Sequence, residues 1–223
     1  MDNSIFPNKS MLTGLLIAGS VCLLAGCSDP ANKVEKATTT APKKAETATT
    51  AAAKDYSIRA GSKIDFVGSK VTRSHHGGFK NFAGKIQVAG GKITGSPEIK
   101  ISTKSLWADD RRLEGHLKSK DFFDATTYPV TTFTVTSIEP AGAQQKVSGN
   151  LELHGVTKSI SFTADINVAD DTVTVKADFA INRRDFNMNY PGMANDLIRN
   201  NVVIKLDVRA TPGPPNSEDQ LVN

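Results

Sequence analysis

Four stretches of this chain alternate apolar and polar residues, and that period of two constrains the fold more than any other feature. Ile160, Phe162, Ala164, Ile166 and Val168 share one face against Ser161, Thr163, Asp165 and Asn167. Val173, Val175, Ala177, Phe179 and Ile181 repeat the pattern. So do Val202, Ile204, Leu206 and Val208 against Lys205, Asp207 and Arg209, and Ile99, Ile101 and Thr103 against Glu98, Lys100 and Ser102. Successive side chains of an extended chain point to opposite faces, so each stretch is a strand with one dry and one wet face. Residues 63–71, 82–89, 130–138 and 146–153 are further strand candidates. Gly90-Gly91 and Asp170-Asp171, each between such runs, read as tight hairpins. About eight antiparallel strands must either pack as two sheets or close on themselves, because open edges invite aggregation. Periodicity alone leaves sandwich and barrel both open.

One segment breaks the pattern. Over 109–119, Leu113 and Leu117 stand four residues apart, Asp109 and Asp110 precede them and Lys118 follows, as the helix dipole favours. Gly115 weakens this helix, which is expected to be short and to lie across one end of the strands.

The ends of the chain read differently. Lys9 precedes an uncharged run from Met11 to Leu24 that is too short to span a bilayer and is followed only by polar sequence, so residues 1–26 read as an export signal. Leu24-Ala25-Gly26-Cys27 looks like a bacterial lipobox, in which Cys27 is the acylation site. Several acyl chains hold a protein on a membrane firmly. Ser28 at the following position resembles the signal for the outer membrane, so the expected location is a lipid anchor on its periplasmic face. Residues 27–54 are mostly Ala, Thr, Lys, Glu and Pro without aromatics, the composition of a disordered tether. Thr211-Pro212-Gly213-Pro214-Pro215 breaks regular structure, so 211–223 reads as a disordered tail. Residues 55–210 then form one domain.

Composition excludes several chemistries. Cys22 leaves with the signal, so the folded part has no disulfide, thiolate zinc site or thiol nucleophile. The net charge of +4 is spread along the chain, which in an exported protein suits a solvated surface better than nucleic acid. His75 and His76 are adjacent and would point to opposite faces of a strand, which argues against a metal site. Asp121 and Asp124 follow the helix and suit a turn cap better than acid-base work. No nucleophile-elbow or phosphate-loop motif is present. The chain reads as non-catalytic, with no cofactor.

Four strings carry a resemblance. Ser74-His75-His76-Gly77-Gly78-Phe79-Lys80-Asn81-Phe82-Ala83-Gly84 comes first. His116-Leu117-Lys118-Ser119-Lys120-Asp121-Phe122-Phe123-Asp124 follows, with Tyr128-Pro129-Val130 and Phe133 beyond it. Gly149-Asn150-Leu151-Glu152-Leu153-His154-Gly155-Val156-Thr157-Lys158 and Ile181-Asn182-Arg183-Arg184-Asp185-Phe186 complete the set. In this order they resemble the motifs of the YceI-like family over essentially the whole domain. Where the family usually has Gly after the last Asp-Phe, Asn187 stands here. Asn tolerates a left-handed backbone better than most residues.

The resemblance implies an antiparallel, lipocalin-like barrel of about eight strands, a size whose interior can hold one ligand. It also implies binding of a polyisoprenoid or isoprenoid quinone in an apolar tunnel, without metal or covalent chemistry. The residues expected to line it are Phe66, Phe82, Ile101, Trp107, Leu117, Phe122, Phe133, Leu153, Phe162 and Phe179, with His116 and Arg183, or His154, as donors to a polar headgroup. The expected partners are that lipid and, through Cys27, the membrane; nothing in the sequence forbids a homodimer. The competing reading is a non-catalytic envelope interaction module whose barrel is filled by its own side chains.

Overall fold

The structure, a computed structural model, describes residue 1, residues 28–45 and residues 53–214. The rest of the export signal and Cys27 lie outside the described residues, as do 46–52 and the tail beyond 214. The strands are β1 (Glu35–Lys36), β2 (Thr38–Thr40), β3 (Lys54–Ile58), β4 (Lys63–Ser69), β5 (Ser74–Phe79), β6 (Phe82–Ala89), β7 (Lys92–Ser102), β8 (Leu106–Ala108), β9 (Val130–Ala141), β10 (Gln144–Leu153), β11 (Val156–Ala169), β12 (Thr172–Asn182), β13 (Gly192–Met193), β14 (Asp196–Leu197) and β15 (Asn201–Pro212), with one helix, α1 (Arg111–Lys118).

β12, β11, β10, β9, β7, β6, β3 and β15 are successive neighbours, and β15 pairs back onto β12, so eight antiparallel strands close a barrel. β4 continues the line of β3 along β15, and β5 and β8 extend the wall from β4. The strands expected from alternation are all present. The inward rows are the apolar ones: Phe179 stands opposite Ile204 and Ile181 opposite Val202. Outward, Lys176 faces Asp207 and Lys205 faces Asp178 as ion pairs at 3.1 and 2.8 Å. Exposed pairs of this kind contribute little stability but keep the outer face wet.

The barrel has two unlike ends. At one, short turns join β6 to β7, β9 to β10 and β11 to β12, and Gly90 and Gly91 take positive φ of 56° and 72° in the first of them. Here Tyr56, Ile86, Val88, Val173 and Ala210 form a small packed core, and the Tyr56 hydroxyl donates to the Asp170 carbonyl at 2.8 Å. The other end carries the 70–73 turn, α1 and the long connection 183–200. α1 begins where the Asp110 carboxylate accepts from the Arg112 and Leu113 N–H groups at 2.8 and 3.0 Å. It lies across that end, as expected.

The N-terminal segment departs from the expected tether. β11 and β12 pair only from Asp165–Lys176 to Ala169–Thr172 and then part. β2 fills the gap along Ser159–Ser161 and β1 along Phe179 and Ala180. Main-chain hydrogen bonds do not depend on composition, so a sequence too polar to form a core can still complete two open strand edges. Small apolar side chains help: Ala31 and Val34 pack with Val67, Ala180 and Val203 on the outer wall. The Glu35 carboxylate accepts from the Thr163 N–H and hydroxyl at 2.9 and 2.6 Å. The C-terminal boundary also shifts. β15 runs to Pro212, pairing with Tyr56, and Arg59 holds this end through its Nε to the Thr211 hydroxyl and its Nη2 to the Pro212 carbonyl, both at 2.7 Å.

Candidate functional site

Inside the barrel is a cavity of about 570 Å³, within the size range of small-molecule sites. Its inner part is walled by Ile99 and Ile101 of β7, Phe133 of β9, Leu151 and Leu153 of β10, Ile160 and Phe162 of β11, Phe179 and Ile181 of β12 and Ile204 of β15. Phe162 and Phe179 stack at 3.9 Å between ring centroids, and Phe133 tilts against Phe162 at 5.9 Å. Glycine makes room for two of the lining rings. A methyl group at Gly149 would overlap the Phe133 ring and the Thr134 carbonyl, and one at Gly77 would overlap the Phe66 ring, so both rings lie close against bare backbone. The lumen is therefore open and not plugged.

Toward the end that carries α1 the wall turns aromatic and then polar. Phe66, Phe79 and Phe123 form a chain of ring contacts at 6.1 and 5.7 Å. His116 lies edge-on to Phe122 and Tyr190 at 5.0 and 4.9 Å. Its Nε2 is 2.8 Å from Asp121 Oδ2. The rim is completed by Lys70, Arg73, His75, Asp110, Arg112, Met193, Asp196 and Arg199. His75 Nδ1 lies 2.8 Å from Asp109 Oδ1. Burial works to raise the Asp109 pKa, but the His76 N–H and the His75 ring outweigh it and hold the carboxyl below its ordinary value.

Arg183 is only 3% exposed, and it lines the cavity. Three of its N–H donors go to main-chain carbonyls: Nε to Arg199 at 3.2 Å, Nη2 to Ile198 at 3.4 Å and Nη1 to Met188. Burial, reinforced by the charge of Arg184, lowers its pKa. A guanidinium has five donors, so two remain beyond these bonds. The Thr131 hydroxyl, also in the wall, is buried with no partner among the described residues. The inner wall is thus apolar with a few polar atoms near one end.

Ten of the twelve residues expected to form the site do line the cavity: Phe66, Ile101, Leu117, Phe122, Phe133, Leu153, Phe162, Phe179, His116 and Arg183. Phe82 and Trp107 do not. Phe82 stands opposite Ile101 in the β6–β7 ladder but outside the cavity lining. Trp107 is on the wrong side of its strand. Leu106 packs inward on Phe66, Leu117 and Phe122, so its neighbour faces outward, where the indole lies over the bare backbone of Gly78 beside Asp65. β8 has three residues, too few for alternation to reveal the phase. His154 is also away from the cavity. It adopts φ 52°, and its Nδ1 is 3.2 Å from the Phe186 carbonyl. Phe79, Phe123, Met188 and Tyr190 were missed, and only the family strings around 79 and 123 marked any of them. Asn187 takes the left-handed conformation expected of it, with φ 59° and its N–H donating to the Arg183 and Arg184 carbonyls. Among the described residues no group of three His, Cys, Asp or Glu side chains is arranged to hold a metal ion.

Comparison with known proteins matches this architecture. A UPF0312 protein of Pseudomonas putida is 29% identical over 160 residues, which span 66% of this chain and 83% of that protein. The crystal structure of Burkholderia cenocepacia BcnA is similar with a TM-score of 0.62 at 27% identity, covering 68% of this chain and 98% of BcnA. A polyisoprenoid-binding domain from Saccharophagus degradans, implicated in plant cell wall breakdown, shares the fold with a TM-score of 0.58 at 21% identity, over 71% of this chain and 98% of that one. The model of the YceI-like domain matches residues 56–210, from β3 through to β15. With the barrel complete and most of its sequence inside that match, this chain belongs to the YceI-like domain family.

Proposed function

We propose that the barrel binds a long-chain isoprenoid-type lipid, a polyprenyl chain or an isoprenoid quinone, and carries or sequesters it in the cell envelope without transforming it. The observation that carries this reading is the apolar cavity of about 570 Å³ lined by Phe133, Ile160, Phe162 and Phe179. Removing apolar surface from water is worth about 25 cal/mol per Å², so a prenyl tail needs no directional contacts to bind. Arg183 and the Thr131 hydroxyl supply donors for a carbonyl or hydroxyl group on the ligand, and His116 stands nearer the rim. The solved polyisoprenoid-binding domain from Saccharophagus degradans supports the reading through its shared fold. No cofactor is required. Acylation of Cys27, holding the barrel at the periplasmic face of the outer membrane, belongs to the same proposal and places the carrier beside the bilayer that holds its ligand.

The test is mass spectrometry of an organic extract from natively purified protein. A prenyl lipid in near-equimolar amount is expected. An empty extract, together with no uptake of added polyprenol or ubiquinone, overturns the proposal.

A further inference from the structure

Apart from Met1, the large apolar side chains that stand exposed among the described residues are Val71, Met193 and Leu197, at 54, 68 and 51%. They are far apart in sequence but belong to one structural unit. Val71 sits in the turn between β4 and β5; Met193 and Leu197 sit in the β13–β14 hairpin. Asp196 of the hairpin pairs with Lys70 and accepts from the Thr72 hydroxyl at 3.0 Å, Lys70 bridges to Ile198, and the Arg199 N–H donates to the Ser69 carbonyl at 2.9 Å. This unit is the cavity rim: Lys70, Arg73, Met193, Asp196 and Ile198 all line the cavity.

Charge accompanies the apolar tips. Arg73, Arg111 and Arg112 are exposed and form no ion pair among the described residues, whereas the nearby acids are engaged: Asp196 with Lys70, Asp109 with His75, and Asp110 as the α1 cap. Solitary exposed apolar residues are ordinary, but three joined in one unit at the mouth of an apolar cavity, beside unpaired guanidinium groups, match the interface of an anionic bilayer. The chain's course agrees. Asp29 pairs with the rim residue Arg199 at 3.7 Å and follows Cys27 by two residues, a reach of at most about 7 Å.

We infer that the rim formed by the 70–73 turn, the β13–β14 hairpin and the start of α1 is a membrane-docking face: Val71, Met193 and Leu197 insert among acyl chains while Arg73, Arg111 and Arg112 meet anionic phospholipid headgroups, so that the cavity opens into the bilayer. A lipid could then pass between membrane and barrel without crossing water. The inference extends the carrier proposal but stands on separate residues.

The experiment uses the full chain with Met193→Trp, or with Asp170→Trp at the opposite end of the barrel, mixed with vesicles of brominated phosphatidylcholine and phosphatidylglycerol in equal parts. The native Trp107 provides the background signal. Bromines quench only an indole within the acyl region, so the Met193→Trp emission is expected to fall and the Asp170→Trp emission to stay at background. Adding Arg73→Glu and Arg112→Glu, exposed changes of which the second suits a helix N-terminus, should weaken the quenching curve about tenfold. Vesicles of brominated phosphatidylcholine alone should weaken it likewise. Equal quenching of the two tryptophans, or indifference to both charge changes, overturns the inference. An unquenched Met193→Trp also overturns it and leaves the rim to a protein partner. Lipid content measured on the same samples separates the two proposals. A lipid-loaded chain with an unquenched rim refutes docking alone; an empty chain with a quenched rim supports docking and refutes the carrier alone.

Discussion

The packed end and the α1 end of this barrel are made of the same strands but solve opposite problems. At the packed end two-residue turns bring the strands together, and Tyr56, Ile86, Val88, Val173 and Ala210 fill the space between them. At the α1 end the connection 183–200 is long and α1 lies across the opening, although a two-residue turn at His154–Gly155 joins β10 to β11 there. A small barrel stays stable around a hollow by packing closely at one end and along the aromatic stack, while the α1 end combines the Phe66, Leu106, Leu117 and Phe122 cluster with polar bonds to main-chain carbonyls.

That contrast can be tested at decreasing scale. Phe162→Asp places a charge where a ring stacks on Phe179, and at a cost of about 4 kcal/mol or more it should unfold the barrel in a urea titration. A mutant of native stability would mean that the stack does not support the wall. Next, truncation should cost more in the packed end than beside the cavity. Ile86→Ala opens a new void and should lose about 3–4 kcal/mol, whereas Leu151→Ala enlarges an existing space and should lose about 2 kcal/mol. Equal losses would break the comparison. Arg183→Met removes donors from the Arg199, Ile198 and Met188 carbonyls and should cost about 2–3 kcal/mol, with faster amide exchange over 188–199 and little change at the packed end.

The smallest effect concerns acid. Asp196 has its pKa lowered below 3.8, first by the hydrogen bond from Lys70 and then by Thr72 and the Lys70 charge, against a smaller desolvation effect. A carboxyl depressed in the folded state stabilises it above the unfolded value and loses that contribution as pH falls through the folded pKa. The rim should therefore loosen below pH 3.8 before the barrel does, which amide exchange at Thr72 and Ile198 would report. Simultaneous loosening of both ends would show that the Lys70–Asp196 pair does not hold the rim.

Much of this was legible in the residues. Five alternating apolar positions in β11 and five in β12 were enough to assign phase, and Phe162 and Phe179 were found on the lumen side because of it. The α1 signal worked for the same reason: Asp110 caps locally, so its role needs no distant partner. Legibility failed where an element was too short or its partner too distant. Trp107 lies on a three-residue strand whose phase is set by Leu106 meeting Phe66, Leu117 and Phe122. Residues 35–40 look featureless because their docking uses main-chain bonds to edges created by the parting of β11 and β12. Met188 and Tyr190 follow no period at all.

The sequence by itself determined the strands, their wet and dry faces, the helix cap and the family, because period and local hydrogen bonding are written within a few residues. Whether the dry faces would meet across a filled core or stand apart around a hollow was decided only by the tertiary structure. That outcome depends on barrel closure between β12 and β15 and on which wall positions lack side chains, quantities that exist only once strands distant in the chain are side by side.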